Sequence, residues 1–147
     1  IRVLVFGFGP DPHYDGRPWA WRRNSVVYTT THDNATLCGF YNGEAEGTRT
    51  REQSDEERAR VHEYLGYVPR PEEAHFALIG LALASASDTV IVPVQDVLGL
   101  GNAARMNTPG KSEGNWTFRL LPDQLNPYSL ARLRELCRIY GRLANAP

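Results

Sequence analysis

The chain has 147 residues, enough for one ordinary domain with a real core. Its 41% hydrophobic and 22% charged composition suits a globular protein. A formal net charge of -1 gives no electrostatic ground for nucleic acid or an anionic membrane as partner. Two cysteines, Cys38 and Cys137, make no disulfide scaffold, and neither belongs to a C-x-x-C pair, so both are expected as free thiols in a reducing compartment.

The opening residues, Ile1 to Phe8, are apolar, but they lack the cationic region and small-residue cleavage site of a secretory signal. A chain that opens on Ile-Arg-Val-Leu-Val without a methionine reads as cut from something longer. Residues 2–8, rich in Val, Leu and Phe and closed by Gly7, Gly9 and Pro10, predict a buried strand. The stretch 10–24 is a long, aromatic-bearing loop, the kind that tends to be functional. Trp19 and Trp21 within it could line a groove.

Residues 25–31 predict a second strand, its β-branched side chains suited to extended backbone. It ends on His32-Asp33-Asn34. Residues 35–51 show no clear period. Ser54 with Glu57 reads as a capping box opening a helix, whose apolar face is Val61, Tyr64 and Leu65 and whose stop is Gly66. Pro71 starts another helix, with Phe76, Ile79, Gly80 and Leu83 on its buried side.

Residues 88–94 predict the third strand, with Pro93 at its end or at a bulge because it lacks an N–H donor. The apolar stretch from Phe76 to Val94 is no membrane span, because it contains Ser85, Ser87 and Asp88 and changes period. A loop follows, and Asn126-Pro127 starts the last helix. Leu130, Leu133, Leu136, Cys137, Tyr140 and Leu143 line one face of it.

Buried strands alternating with helical connections predict an α/β fold with a parallel sheet. In such sheets the working residues gather at the C-terminal ends of strands. All three predicted ends carry Gly or polar residues: Gly7 and Gly9, His32 and Asp33, Gln95 and Asp96. Three strands cannot close a (β/α)₈ barrel, which needs roughly 250 residues, so the sheet is either open or a piece of a barrel.

The run from Tyr28 to Thr36, Y-T-T-T-H-D-N-A-T, resembles the YTGTHDNDTT motif of the 4-alpha-glucanotransferases, glycoside hydrolase family 77. Pro93 to Gly101, P-V-Q-D-V-L-G-L-G, looks like a second block of that family. Ala104 to Gly110 and Gly114-Asn115-Trp116 look like a third. Residues 2–8 resemble a family strand written roughly VLQFAF. The order and spacing match, so the resemblance covers essentially all of residues 1–147, read as one C-terminal segment of the catalytic domain. It implies a partial (β/α)₈ TIM barrel, with the three strands as the sixth, seventh and eighth.

The resemblance further implies transfer of an α-1,4-glucan segment to the 4-hydroxyl of an acceptor sugar, by a retaining double displacement. Its substrates would be α-1,4-glucans or maltooligosaccharides, in the cytoplasm, with neither metal nor cofactor. Asp33 would stabilise the transition state, although local sequence alone favours a helix cap or a loop hydrogen bond there. His32 would bind a hydroxyl of the same sugar, and Asn107 a neighbouring donor sugar. The nucleophile and acid/base follow the fourth and fifth strands in that family, outside this segment. Asp88 is at the wrong end of its strand, and the family gives Asp96 no proton-transfer role. Ala35, Thr30 and Leu37 depart from the motif, where the family has Asp, Gly and Thr.

The blander readings are kept for other residues. Arg105 is read as an ion-pair or loop anchor, and Trp116 as core packing before sugar stacking. His13, His62 and His75 lack metal-ligand spacing with a third ligand. The glycine pairs at 7 and 9 and at 99 and 101 lack the rest of a nucleotide fingerprint. The alternative function is a non-catalytic truncated barrel module that self-associates and at most binds glucans. The isolated segment is expected to be inactive, and to join either the missing part of the barrel or another copy of itself.

Overall fold

The computed structural model describes residues 1–11, 17–44 and 49–143. His13 and part of the long first loop lie outside the described residues. Three short strands, β1 (Arg2–Val3), β2 (Val26–Tyr28) and β3 (Thr89–Ile91), form one sheet in the order β1-β2-β3. Both pairings are parallel: Val3 is opposite Tyr28, and Tyr28 is opposite Ile91. The expected α/β fold with a parallel sheet is therefore present. Five α-helices appear among the described residues: α1 (Leu37–Asn42), α2 (Arg51–Leu65), α3 (Ala74–Ala84), α4 (Val94–Val97) and α5 (Pro127–Ile139).

The strands are shorter than the sequence suggests. Only Arg2–Val3 of the first apolar run is extended; Leu4–Phe8 coils into a 3₁₀ segment. Leu4, Val5 and Phe8 are nonetheless fully in the core. A continuous apolar run predicts burial well but does not tell extended from helical backbone. In the third run the ladder stops at Ile91, and Pro93, at the strand's end as expected, is the N-cap of α4. A proline has no N–H to continue a ladder, but it suits a helix start.

α2 is capped four residues before Ser54, the expected cap. Thr50 is the N-cap, its hydroxyl accepting from the Gln53 N–H at 3.2 Å while the Gln53 side chain accepts from the Thr50 N–H at 2.9 Å. This T-x-x-Q box sits just ahead of the S-x-x-E pattern and wins. Ser54 is buried inside the helix, its hydroxyl donating to the Thr50 carbonyl. α1 arises in a stretch without visible period, because six residues are too few to show one. Its ends are nonetheless specified: the Thr36 hydroxyl accepts from the Gly39 N–H, and Gly43 takes the left-handed conformation at φ 66°.

α3 is buried nearly all round, including the four residues expected on its inner side, and forms the centre of the core with α1 and α5 against it. The expected faces of α2 and α5 are only partly realised. Val61 and Leu136 are buried, with Leu65, Leu133 and Cys137 packed beside the core, but Tyr64, Leu130, Tyr140 and Leu143 are exposed. Cys38 and Cys137 are both free and half-buried. No helix among the described residues is long and apolar enough to cross a membrane.

Candidate active site

The segment after β2 and the segment after β3 meet on one rim of the sheet. His32 follows β2 and Gln95 follows β3, and both line a cleft of about 180 Å³ with Thr31, Pro93, Arg105 and Met106. Asp33 stands between two residues of that lining, with its side chain about half exposed. A wider groove of about 680 Å³ lies elsewhere, between the end of α2, α3 and α5, and holds none of the residues singled out for a site.

Contacts across the rim are specific. The Asn107 side-chain amide donates to Oδ1 of Asp33 at 2.6 Å, a short bond of the charge-assisted kind. Nε2 of His32 lies 3.3 Å from Oδ2 of the same carboxylate. The Asn107 N–H donates to the His32 carbonyl at 3.1 Å, and Nη2 of Arg105 donates to the Asp33 carbonyl at 3.0 Å. Nε of Arg105 also donates to the Asn107 carbonyl at 3.2 Å. Arg105 thus anchors the loop through two backbone carbonyls, one of the two structural roles expected of it. The three residues expected at a site, His32, Asp33 and Asn107, come together although 74 positions separate Asp33 from Asn107.

Trp116 is not where sequence reasoning put it. It is 53% exposed, and its ring centroid lies 5.2 Å from that of His32. Its backbone has a positive φ of 61°, unusual for a bulky residue, and its N–H donates to the Met106 carbonyl at 2.6 Å. The adjoining Asn115 holds the same loop, Oδ1 accepting from the Thr108 N–H at 2.8 Å. A large aromatic usually signals core; the available counter-signal was its place two residues after Gly114 in the third motif block. The aromatics of the first loop divide, with Trp21 buried and Trp19 exposed.

The base of the rim is polar and buried. Asp96, 1% exposed, accepts from the Thr29 and Thr30 hydroxyls at 2.6 and 2.7 Å through Oδ2, and from the Leu37 N–H at 2.8 Å through Oδ1. Burial raises its pKa above the ordinary carboxylate value, and these three hydrogen bonds oppose the rise. Asn102 extends the contact: its Oδ1 accepts from the Thr36 N–H at 3.2 Å, and its own N–H donates to Glu44 at 2.7 Å. The Gln95 amide donates to the Ala104 carbonyl at 3.3 Å. Asp96 of the second motif block and Asn102 just after it therefore hold both ends of the turn from β2 into α1.

The other two described histidines have ordinary settings. His62 hydrogen-bonds the Tyr41 hydroxyl at 2.8 Å, and His75 is buried against the Phe76 ring, with burial lowering the pKa of both imidazoles.

These features define an α/β protein that gathers a carboxylate, an imidazole, an amide and an exposed indole on the C-terminal rim of a parallel sheet. The chain belongs to the 4-alpha-glucanotransferase family, whose profile matches residues 1–124. It is 43% identical over 149 residues to a 4-alpha-glucanotransferase of Thermus thermophilus, covering 97% of this chain and 28% of that protein. It is 40% identical over 143 residues to that of Synechocystis, covering 97% and 26%. The solved amylomaltase of Streptococcus agalactiae, in complex with acarbose, superposes with a TM-score of 0.83 at 27% identity, covering 97% of this chain and 27% of that one. The chain spans about a quarter of the length of the curated relatives it matches.

Proposed function

We propose that this chain is the part of a cytoplasmic 4-alpha-glucanotransferase that carries the sixth to eighth strands of a (β/α)₈ barrel, and that Asp33 stabilises the transition state of glucan transfer. The observation that supports this best is the convergence of His32, Asp33 and Asn107 on one rim in a chain of this family. The substrate in this reading is an α-1,4-glucan or maltooligosaccharide, and no cofactor takes part.

In a retaining double displacement one carboxylate attacks the anomeric carbon, and a second, protonated, gives its proton to the leaving oxygen. Both are supplied by residues outside this segment. The transition state carries positive charge on the sugar, and a fixed carboxylate nearby stabilises it. Asp33 is suited to this. Its two oxygens offer about four acceptor sites, and the Asn107 amide and His32 engage one oxygen each. Acceptor capacity remains for sugar hydroxyls, while the protein partners hold the carboxylate in place. His32 binds a hydroxyl of the same ring, and Asn107 contacts a neighbouring donor sugar.

The test is disproportionation of maltotriose by the intact protein. Asp33→Asn removes the charge and keeps the shape, and kcat/KM should fall by about 10²–10³, the usual cost of losing one preorganised stabilising group. The isolated segment should show no transfer. Activity that survives Asp33→Asn would overturn the proposal. An intact wild-type protein that binds glucan without turnover would point instead to the non-catalytic module.

A further inference from the structure

We infer that Asp96 is a positioning residue: its single buried carboxylate clasps both ends of the loop that carries His32 and Asp33. The inference rests on the role proposed for Asp33.

Thr29 and Thr30 are the last residues before the loop, and Leu37 is the first residue of α1 after it. The carboxylate of Asp96 bonds all three, through two different oxygens, at 2.6, 2.7 and 2.8 Å. The six residues between, 31–36, include the proposed catalytic aspartate. Without the clasp, the entry and exit of that loop would lose a common anchor. The tip is tied separately, by Arg105 and by the Asn107 backbone, both on the more accessible side. Base and tip are thus fixed from the same second strand-end segment, but only the base is fixed by a fully buried charge-bearing group.

Stability does not explain a carboxylate at this position. Burying a carboxylate carries a desolvation cost, so packing alone favours a neutral side chain of similar volume. What the carboxylate does uniquely is accept three donors that arrive from two directions. Asparagine matches its shape and keeps an acceptor for the Leu37 N–H. At the other oxygen's place it puts an NH₂, so the two buried hydroxyls must turn from donors into acceptors and their protons lose this acceptor. Asp96→Asn therefore loosens one end of the loop while leaving the core packed. Asp96 touches no proposed sugar contact, so its effect must pass through the loop that carries His32 and Asp33.

The experiment is carried out on the intact protein with maltotriose, well below every melting temperature. Asp96→Asn should lower kcat by about tenfold to a hundredfold, the scale expected of a displacement of about 1 Å at a reacting centre, with KM moved less than about threefold. In an Asp33→Asn background the same substitution should cost less than about threefold, the part carried by His32, because the main group it positions is already disabled. A wild-type kcat for Asp96→Asn overturns the inference, and so does a loss that simply adds to that of Asp33→Asn. If Asp96→Asn does not fold, Thr29→Val removes one donor at constant shape and should show the same pattern at smaller amplitude. Failure of both to fold would make the carboxylate a folding group and overturn the inference. If Asp33→Asn is itself without effect, the proposed function falls, and this inference with it. If Asp33→Asn disables transfer and Asp96→Asn does not, only the positioning role falls.

Discussion

Cys38 shows how the polar base of the rim reaches its neighbours. The thiol lies one residue past the Leu37 N–H that bonds Asp96, and burial pushes its pKa to about 11 from an ordinary 9.0, with Asp96 and Glu44 adding to the rise. Only the thiolate attacks an alkylating reagent, and at pH 8 the folded protein should hold about a hundredfold less of it than the unfolded chain. Iodoacetamide should therefore label Cys38 slowly in the native state and rapidly in urea, with the native rate still rising above pH 10. Mass spectrometry of peptides from timed quenches reads this directly. Native labelling as fast as in urea would mean that the Cys38 region opens readily, and that the clasp around it is weak. At this scale the sequence was informative where chemistry is local. His32 and Asp33 were legible as a polar pair that ends a β-branched run, but the role given to Asp33 came from the motif resemblance, since local sequence alone favours a cap or a loop hydrogen bond there. The work of Asp96 was not, since its three partners are fixed by tertiary contact and lie 59 to 67 positions away.

Among the elements, the short α1 links the sheet to the site, and Gly39 decides how closely it docks. A Cβ at Gly39 would lie 2.1 Å from Oδ1 of Asn102 and 2.4 Å from its Cγ, so the whole amide would have to move. That amide holds the Thr36 N–H, at the start of the helix. Alanine is favoured over glycine inside a helix by about 1 kcal/mol, which taken alone predicts that Gly39→Ala stabilises. Overpacking typically costs about 1–3 kcal/mol and here also breaks a partly buried hydrogen bond, so the net effect should be destabilising by about 1–2 kcal/mol. A urea midpoint lowered with unchanged slope would show it; an unchanged or raised midpoint would show that Asn102 swings away freely. The same element explains what pattern reading missed. Asn126-Pro127 marked the start of α5 because a cap and a first-turn proline are local signals. α1 has the same kind of cap in Thr36 and a glycine stop in Gly43, but too few residues between them for a period to show.

For the molecule as a whole, the sheet is the feature with the largest consequence. β2 has partners on both sides, whereas β1 and β3 are each paired on one side only, among the described residues. Thr89 and Ile91 of β3 are exposed, and Ile1 and Phe6, beside the other edge, are 85% and 51% exposed. An unpaired strand edge presents free N–H and C=O groups to any second chain, and contiguous apolar surface adds a driving force. Two-residue and three-residue edge strands blunt this hazard without removing it. Expressed as a separate 147-residue segment, the protein should therefore self-associate at micromolar concentration. The net charge of -1 offers little repulsion, so added salt should leave the association intact or strengthen it. Sedimentation velocity over a concentration series would show the weight-average mass rising above 16.5 kDa. If the chain is the barrel segment proposed above, adding the rest of that barrel as a separate polypeptide should compete with self-association, because it would offer the open edges strands of matched direction. A monodisperse monomer with one cooperative melt would show that three parallel strands and their helices are self-sufficient, and that neither edge needs a neighbour.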